Sequence, residues 1–214
     1  MRRLLRRRRR GERGAVLVEL VMVVPFLMTM VLAVFDLGMM LRSDISIANS
    51  TRTAARVAAS SGSAPLSDFL LLSSLGAALN NIDDATIHYV TVYEVTGSSK
   101  TPPAACTTAA AVTAGGSAAF NCNTYSGADL TAILTNPGLA QSGYGGACGG
   151  AGKDTRWCPT LRSTNQASTA GPDYLGVAVS ITVPTATRIF GVTKTFNDAF
   201  VMRLDPSSNP GSGT

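Results

Sequence analysis

Gly14, Ala15 and Glu19 have residue types and a spacing that could do chemistry together. A peptidase that opened the bond between Gly14 and Ala15 would leave a new α-ammonium on Ala15. Glu19 follows four positions later, about one helical turn away. In two such helices packed side by side, the ammonium of one and the carboxylate of the other could pair and neutralise both charges. The competing reading is a glutamate at the edge of an apolar segment, reaching water by its own length and serving no assembly role.

The surroundings of these three residues set the cost of that charge. The run from Ala15 to Phe35 holds 21 residues and a single ionisable side chain, Glu19. At about 1.5 Å per residue it makes roughly 31 Å of helix, enough to cross the hydrocarbon core of a bilayer. An ionised carboxylate there costs about 3 kcal/mol on insertion scales, so such a group usually has a partner and a role. Pro25 lies inside the run and is tolerable in a membrane helix whose neighbours satisfy the freed carbonyl.

The net charge of +5 belongs to a tail. Residues 1–14 carry eight arginines against Glu12, or +7, while the other 200 residues carry ten basic and twelve acidic side chains, or −2. Arg6, Arg7, Arg8, Arg9, Arg10 and Arg13 abut the apolar run, and cationic flanks of this kind stay on the cytoplasmic side. No aromatic or base-reading residue accompanies them, so a nucleic-acid arm is not expected. A cleavable secretory signal would have a shorter apolar region, and the flank DLGMMLRSDIS offers no small-x-small cleavage site. No Cys follows the run to make a lipoprotein signal, and the arginine pair of MRRLL is too isolated for a twin-arginine signal.

The stretch RGAVLVELVMVVPFLMTMVLAVFDLG resembles the N-terminal segment of the TadE-like family, pilin-like proteins of the tight-adherence (Flp-type IV) pilus machinery. Gly14 followed by Glu19 is similar to the prepilin-peptidase pattern of that broader class. Pro25 and the Asp36-Leu37-Gly38 exit share the likeness, which covers roughly residues 11 to 60. The resemblance implies that a prepilin peptidase removes the leader and that the mature helix stays in the membrane. It further implies an extracytoplasmic C-terminal region, with other pilin-like subunits and the pilus-assembly machinery as partners. Only Gly14, Ala15 and Glu19 carry over as individual site residues.

The elements beyond the membrane follow from periodicity. Leu41, Ile45, Ala48, Ala55 and Ala59 recur at helical spacing, so one helix is expected from about residue 15 to residue 60, half in lipid and half in solvent. SDFLLLSSLGAALNN reads as a second helix, capped by Ser67 or Asp68, with Leu71, Leu75 and Leu79 on one face and Asn80 or Asn81 at its end. TIHYVTVYEV reads as a strand with Ile87, Tyr89, Thr91, Tyr93 and Val95 on one side. YLGVAVSITV alternates more cleanly, and AFVMRL is a third candidate strand. The expected fold class is α+β: a long N-terminal transmembrane helix continuing into a pilin-like extracytoplasmic domain with a small antiparallel sheet. The expected divisions are a basic leader over 1–14, the helix and its soluble extension over 15–61, and the outer domain over 62–214.

A Gly/Ala/Ser/Thr-rich stretch from about 97 to 172 reads as a long loop, which must be functional or tied down. It holds all four cysteines, Cys106, Cys122, Cys148 and Cys158. An even number in an extracytoplasmic loop favours two disulfides, and of the three possible connectivities the sequential pairs 106 with 122 and 148 with 158 are expected. Zinc is disfavoured, since no Cys-x2-Cys pair occurs and the single His is distant.

No catalytic constellation emerges, and no cofactor or metal is expected. His88 sits mid-strand, and Asp83 and Asp84 suit a turn. Lys153 and Asp154 read as an exposed loop pair, Trp157 as cover for the neighbouring disulfide, and no glycine cluster forms a phosphate-binding loop. The sequence therefore points to a non-enzymatic minor pilin or pilus-assembly subunit. The competing class is a permanently anchored extracytoplasmic binding protein with an uncleaved leader.

Overall fold

The computed structural model describes residues 2–80, 82, 84–97, 99–146, 148, 150, 152–166, 171–187 and 191–206, with side chains from Val16 onward. The chain divides into two compact units, Met1–Arg42 with Thr185–Val192, and Ser43–Pro184 with Thr193–Thr214.

That helix, α1, runs from Arg2 to Ser61, so the arginine leader continues the helix expected to begin near residue 15. Every residue from Val16 to Leu32 is exposed, Pro25 included. A helix apolar on all sides and uncovered by its own protein needs an apolar solvent. It is the one helix among the described residues long and apolar enough to cross a membrane.

In the second unit, the C-terminal half of α1 buries Ile47, Thr51, Ala54, Ala55, Ala58 and Ala59. This stripe is rotated from the expected one, because Leu41 and Ile45 are exposed. Small side chains at 54, 55, 58 and 59 let the neighbouring core approach closely, and the Thr51 hydroxyl is satisfied by donating to the Ile47 carbonyl at 2.9 Å.

After the turn at Gly62, helix α2 spans Ser67–Leu79 and buries Leu71, Leu72, Leu75 and Leu79. Neither Ser67 nor Asp68 caps it. The N-cap position is Leu66, with no side-chain hydrogen bond, and Asp68 lies inside the protein. Asn80 closes the helix, its N–H donating to the Gly76 carbonyl, while Asn81 lies outside the described residues.

Five antiparallel strands follow: β1 Thr86–Glu94, β2 Gly116–Ser117, β3 Cys122–Tyr125, β4 Tyr174–Pro184 and β5 Thr193–Arg203, in the spatial order β2-β3-β1-β4-β5. The stretch read as one long loop therefore supplies two strands. It also forms three short helices, α3 Ala109–Ala114, α4 Gly127–Thr135 and α5 Pro137–Gln141. Its small residues hid these elements, although α4 carries a capping box. Ser126 accepts from the Asp129 N–H, and the Asp129 carboxylate accepts from the Ser126 N–H.

A register shift between Ile87 and Tyr89 takes Ile87 off the face that Tyr89, Thr91 and Tyr93 share. Strict alternation puts Ile87 and Tyr89 together, but the bulge at His88 inserts one residue and flips everything after it. Val90 and Val92 then join Leu175, Val177, Val179 and Ile181 in the main core with α1 and α2. Tyr93 falls in a smaller cluster with Ala178 and the Cys106–Cys122 disulfide. That disulfide closes 16 residues of chain, and such a closure contributes about 3 kcal/mol on the chain-entropy account.

The Tyr93 ring packs against Gly176 of β4, its register partner. A Cβ on Gly176 would lie 2.3 Å from the ring, and the ring is held in place by a hydrogen bond from its hydroxyl to the Lys100 carbonyl. Gly176→Ala is therefore expected to destabilise the second unit by about 1–3 kcal/mol through overpacking. Denaturant unfolding of the detergent-solubilised protein checks this, and a midpoint equal to wild type would refute it.

Candidate functional site

Helix geometry puts Glu19 about one turn beyond the adjacent Gly14 and Ala15 on one continuous helix, α1. The side chains of the arginine leader and of Ala15 lie outside the described set. Glu19 is exposed among exposed neighbours Val16, Leu17, Val18 and Leu20. It makes no hydrogen bond or ion pair within the chain among the described residues.

The same unit contains an arrangement the sequence reading did not find. Asp36, directly after the apolar run, is fully buried. Its Oδ1 accepts from the Thr187 N–H at 2.9 Å, and its other oxygen accepts from the Thr187 hydroxyl. Thr187 belongs to the connection between β4 and β5. Thr185 closes the base of that connection, its N–H donating to the Val192 carbonyl at 3.1 Å and its hydroxyl to the Gly191 carbonyl. A carboxylate one residue past a lipid-length segment was the available signal. Its partner lies 151 positions away and could not be read from local pattern.

The second unit is organised around a buried ion pair. Arg162 and Asp68 are both buried, with Nη1 and Oδ1 2.7 Å apart and both side chains fully enclosed. That contact lacks hydrogen-bond angles, and Arg162 Nε has no hydrogen-bond partner. The aligned bond runs from Nη2 to Asp68 Oδ2 at 2.8 Å. The same oxygen accepts from the Tyr125 hydroxyl at 2.7 Å and from Asn123 Nδ2 at 2.8 Å. Asn123 also brackets Trp157, donating to its carbonyl and accepting from its N–H, both at 2.8 Å. The guanidinium stacks 4.3 Å from the Trp157 ring. Trp157 is thus a core residue beneath an arginine and part of the main cluster, in place of a cover for the disulfide.

Burial, reinforced by the charge of Asp68, pushes the Tyr125 hydroxyl well above its ordinary range. Asp154 is also buried, contrary to the exposed pair expected with Lys153. Its Oδ2 accepts from the Gly145 N–H at 2.8 Å, and burial raises its carboxyl. Lys153 instead pairs with Asp129. Burial alone would raise Asp129, but hydrogen bonds from Lys153 and Ser126 outweigh it and hold the carboxyl low. These charges fasten α2, α4, β3 and the loop around 143–166 to one another.

Cys106 is bonded to Cys122, and Cys148 to Cys158. His88 is exposed at the bulge, 2.7 Å from the Thr182 hydroxyl. Asp84 adopts the left-handed turn conformation at φ 54°, and Asp83 lies outside the described residues. Among the described residues no three His, Cys, Asp or Glu groups converge as a metal site would require.

Neither the curated proteins nor the solved structures compared with this chain contain a match. The family comparison does find one, and it falls on the helix that carries Glu19 and Asp36. Residues 14–56 match the family described as TadE-like protein, so this chain carries a TadE-like segment that begins at Gly14 and runs through the apolar helix into the core of the second unit.

Proposed function

We propose that this chain is a pilin-like protein of the tight-adherence pilus system, a minor pilin or pilus-assembly subunit matured by a prepilin peptidase between Gly14 and Ala15. Its helix packs in the membrane against helices of other pilin-like subunits and of the assembly machine. Glu19 carries the reading. It is an exposed carboxylate without an intrachain partner among the described residues, in an apolar helix of membrane length, inside the TadE-like match. A partner helix that brought an α-ammonium to it would offset the cost of about 3 kcal/mol that the isolated charge carries.

The arginine leader supports a cytoplasmic N-terminus, and the two disulfides support an oxidising, extracytoplasmic setting for the second unit. The buried charges of the second unit fasten α2, α4 and β3 to one another, which supports a structural role. The test is the intact mass and N-terminal sequence of the protein extracted from its native membranes. A start at Ala15 is expected. A start at Met1 would overturn the processing step and leave an anchored binding protein with an incidental Glu19.

A further inference from the structure

We infer that the Cys148–Cys158 disulfide is a thiol–disulfide exchange site, opened through Cys148 by a dithiol, while Cys106–Cys122 is a permanent crosslink. The two bonds sit in different settings. Cys106 and Cys122 are both fully buried, in the cluster with Tyr93 and Ala178. Cys148 is exposed, whereas its partner Cys158 is buried beside Trp157. Exchange proceeds by attack of a thiolate on one of the two sulfurs, and access decides which sulfur is attacked. At Cys106–Cys122 neither end is open to solvent. At Cys148–Cys158 the outer end alone is open, so Cys148 is the sulfur attacked and Cys158 the sulfur that leaves.

In the first step the incoming thiolate forms a bond to Cys148 Sγ while the bond to Cys158 Sγ breaks. Cys158 departs as a thiolate and takes up a proton. The second thiol of the reagent, once deprotonated, attacks the reagent's own sulfur in the mixed disulfide. Cys148 then departs as a thiolate and takes up the second proton. The protein gains two electrons and two protons, and the dithiol becomes a disulfide. Bonds that do not involve sulfur hold the surrounding chain. The Lys153 N–H donates to the Gly143 carbonyl at 2.9 Å, and the Gly145 N–H to the Asp154 carboxylate at 2.8 Å. Asn123 holds both the N–H and the carbonyl of Trp157, the residue before Cys158. Cys158 thus stays in place when the S–S bond opens, and the reaction reverses without unfolding the unit. A Cys158 held in place can also attack the mixed disulfide and expel a monothiol. A dithiol resolves that intermediate within itself, which is why the reagent class is a dithiol.

All four cysteines are in disulfides, so every thiol that appears reports a bond that has opened. The oxidised full chain in detergent is treated, without denaturant, with dithiothreitol or with reduced thioredoxin. Thiols are trapped with iodoacetamide at successive times and located by peptide mass. Alkylation at Cys148 and Cys158 is expected to run at least about tenfold faster than at Cys106 and Cys122. The emission wavelength of Trp157 is expected to stay at its folded value meanwhile. Equal rates, a faster Cys106–Cys122 pair, or thiols that appear only as the tryptophan emission shifts to that of unfolded chain would each overturn the inference. A thioredoxin whose resolving cysteine is replaced by serine is expected to be caught as a mixed disulfide on Cys148. Capture on Cys158, or no capture, would overturn the direction of attack and the site with it.

Discussion

Arg162→Ala is expected to cost the second unit about 3–5 kcal/mol, because it strands the fully buried Asp68 carboxylate. The loss has three parts. The carboxylate keeps only the Tyr125 and Asn123 donors, the Trp157 carbonyl loses the bond from Nη2, and the indole loses the stacked guanidinium. A marginally stable domain rarely has more than about 5–15 kcal/mol in total, so the change removes much of it. The protein's only tryptophan sits at this site, so its fluorescence follows the melting of this network directly. Arg162→Ala combined with Asp68→Asn is expected to recover part of the loss by removing the stranded charge. Full recovery is not expected, since the asparagine oxygen can replace Oδ2 and accept from Tyr125 and Asn123, but its NH2 would face the space left by the guanidinium. A single variant that unfolds within 1 kcal/mol of wild type would show that the pair is not the keystone of this unit.

Glu19→Ala is expected to leave insertion of the helix intact and to remove assembly. Insertion should if anything improve, because the substitution deletes the one charge in the apolar run. Under the proposed processing, assembly should fail because an Ala15 ammonium on a neighbouring helix would then face lipid unpaired. A loss of about 3 kcal/mol per contact corresponds to roughly a hundredfold weaker association. The measurement is the yield of cross-links to other pilin-like subunits in native membranes, normalised to the membrane-inserted amount. Glu19→Gln separates charge from shape, since it keeps the length and a hydrogen-bonding amide but cannot neutralise an ammonium. Wild-type cross-linking in both variants would refute charge pairing as the assembly principle, whatever the processing state of the leader.

The long apolar N-terminal helix, the strand β4 and the α+β class were legible in the sequence because each is encoded by local pattern. The strand β5 was read only in its C-terminal part, AFVMRL. A run of 21 residues with one charge needs no tertiary information to be read, and neither does an alternation such as Leu175, Val177, Val179, Ile181. Glu19 stands out in the sequence as a single exception in a uniform background. Where long-range pairing sets the outcome, local pattern misled. The bulge at His88 is fixed by how β1 meets β4, so Ile87 left the face that Tyr89, Thr91 and Tyr93 share. Asp68 looked like a cap because aspartate near a helix start usually is one. Its carboxylate turned inward because Arg162, 94 positions later, folds to the same spot.

The small residues between 97 and 172 carry little hydrophobic signal, so β3 and α4 become visible only when Tyr125, Leu130 and Ile133 reach the core they share with α2. Asp36 shows the division most plainly. Its position at the end of the apolar run is written in the sequence. That its charge is buried, and satisfied by Thr187, was decided by the tertiary fold, because a hydrogen bond between residues 151 positions apart leaves no trace in local composition.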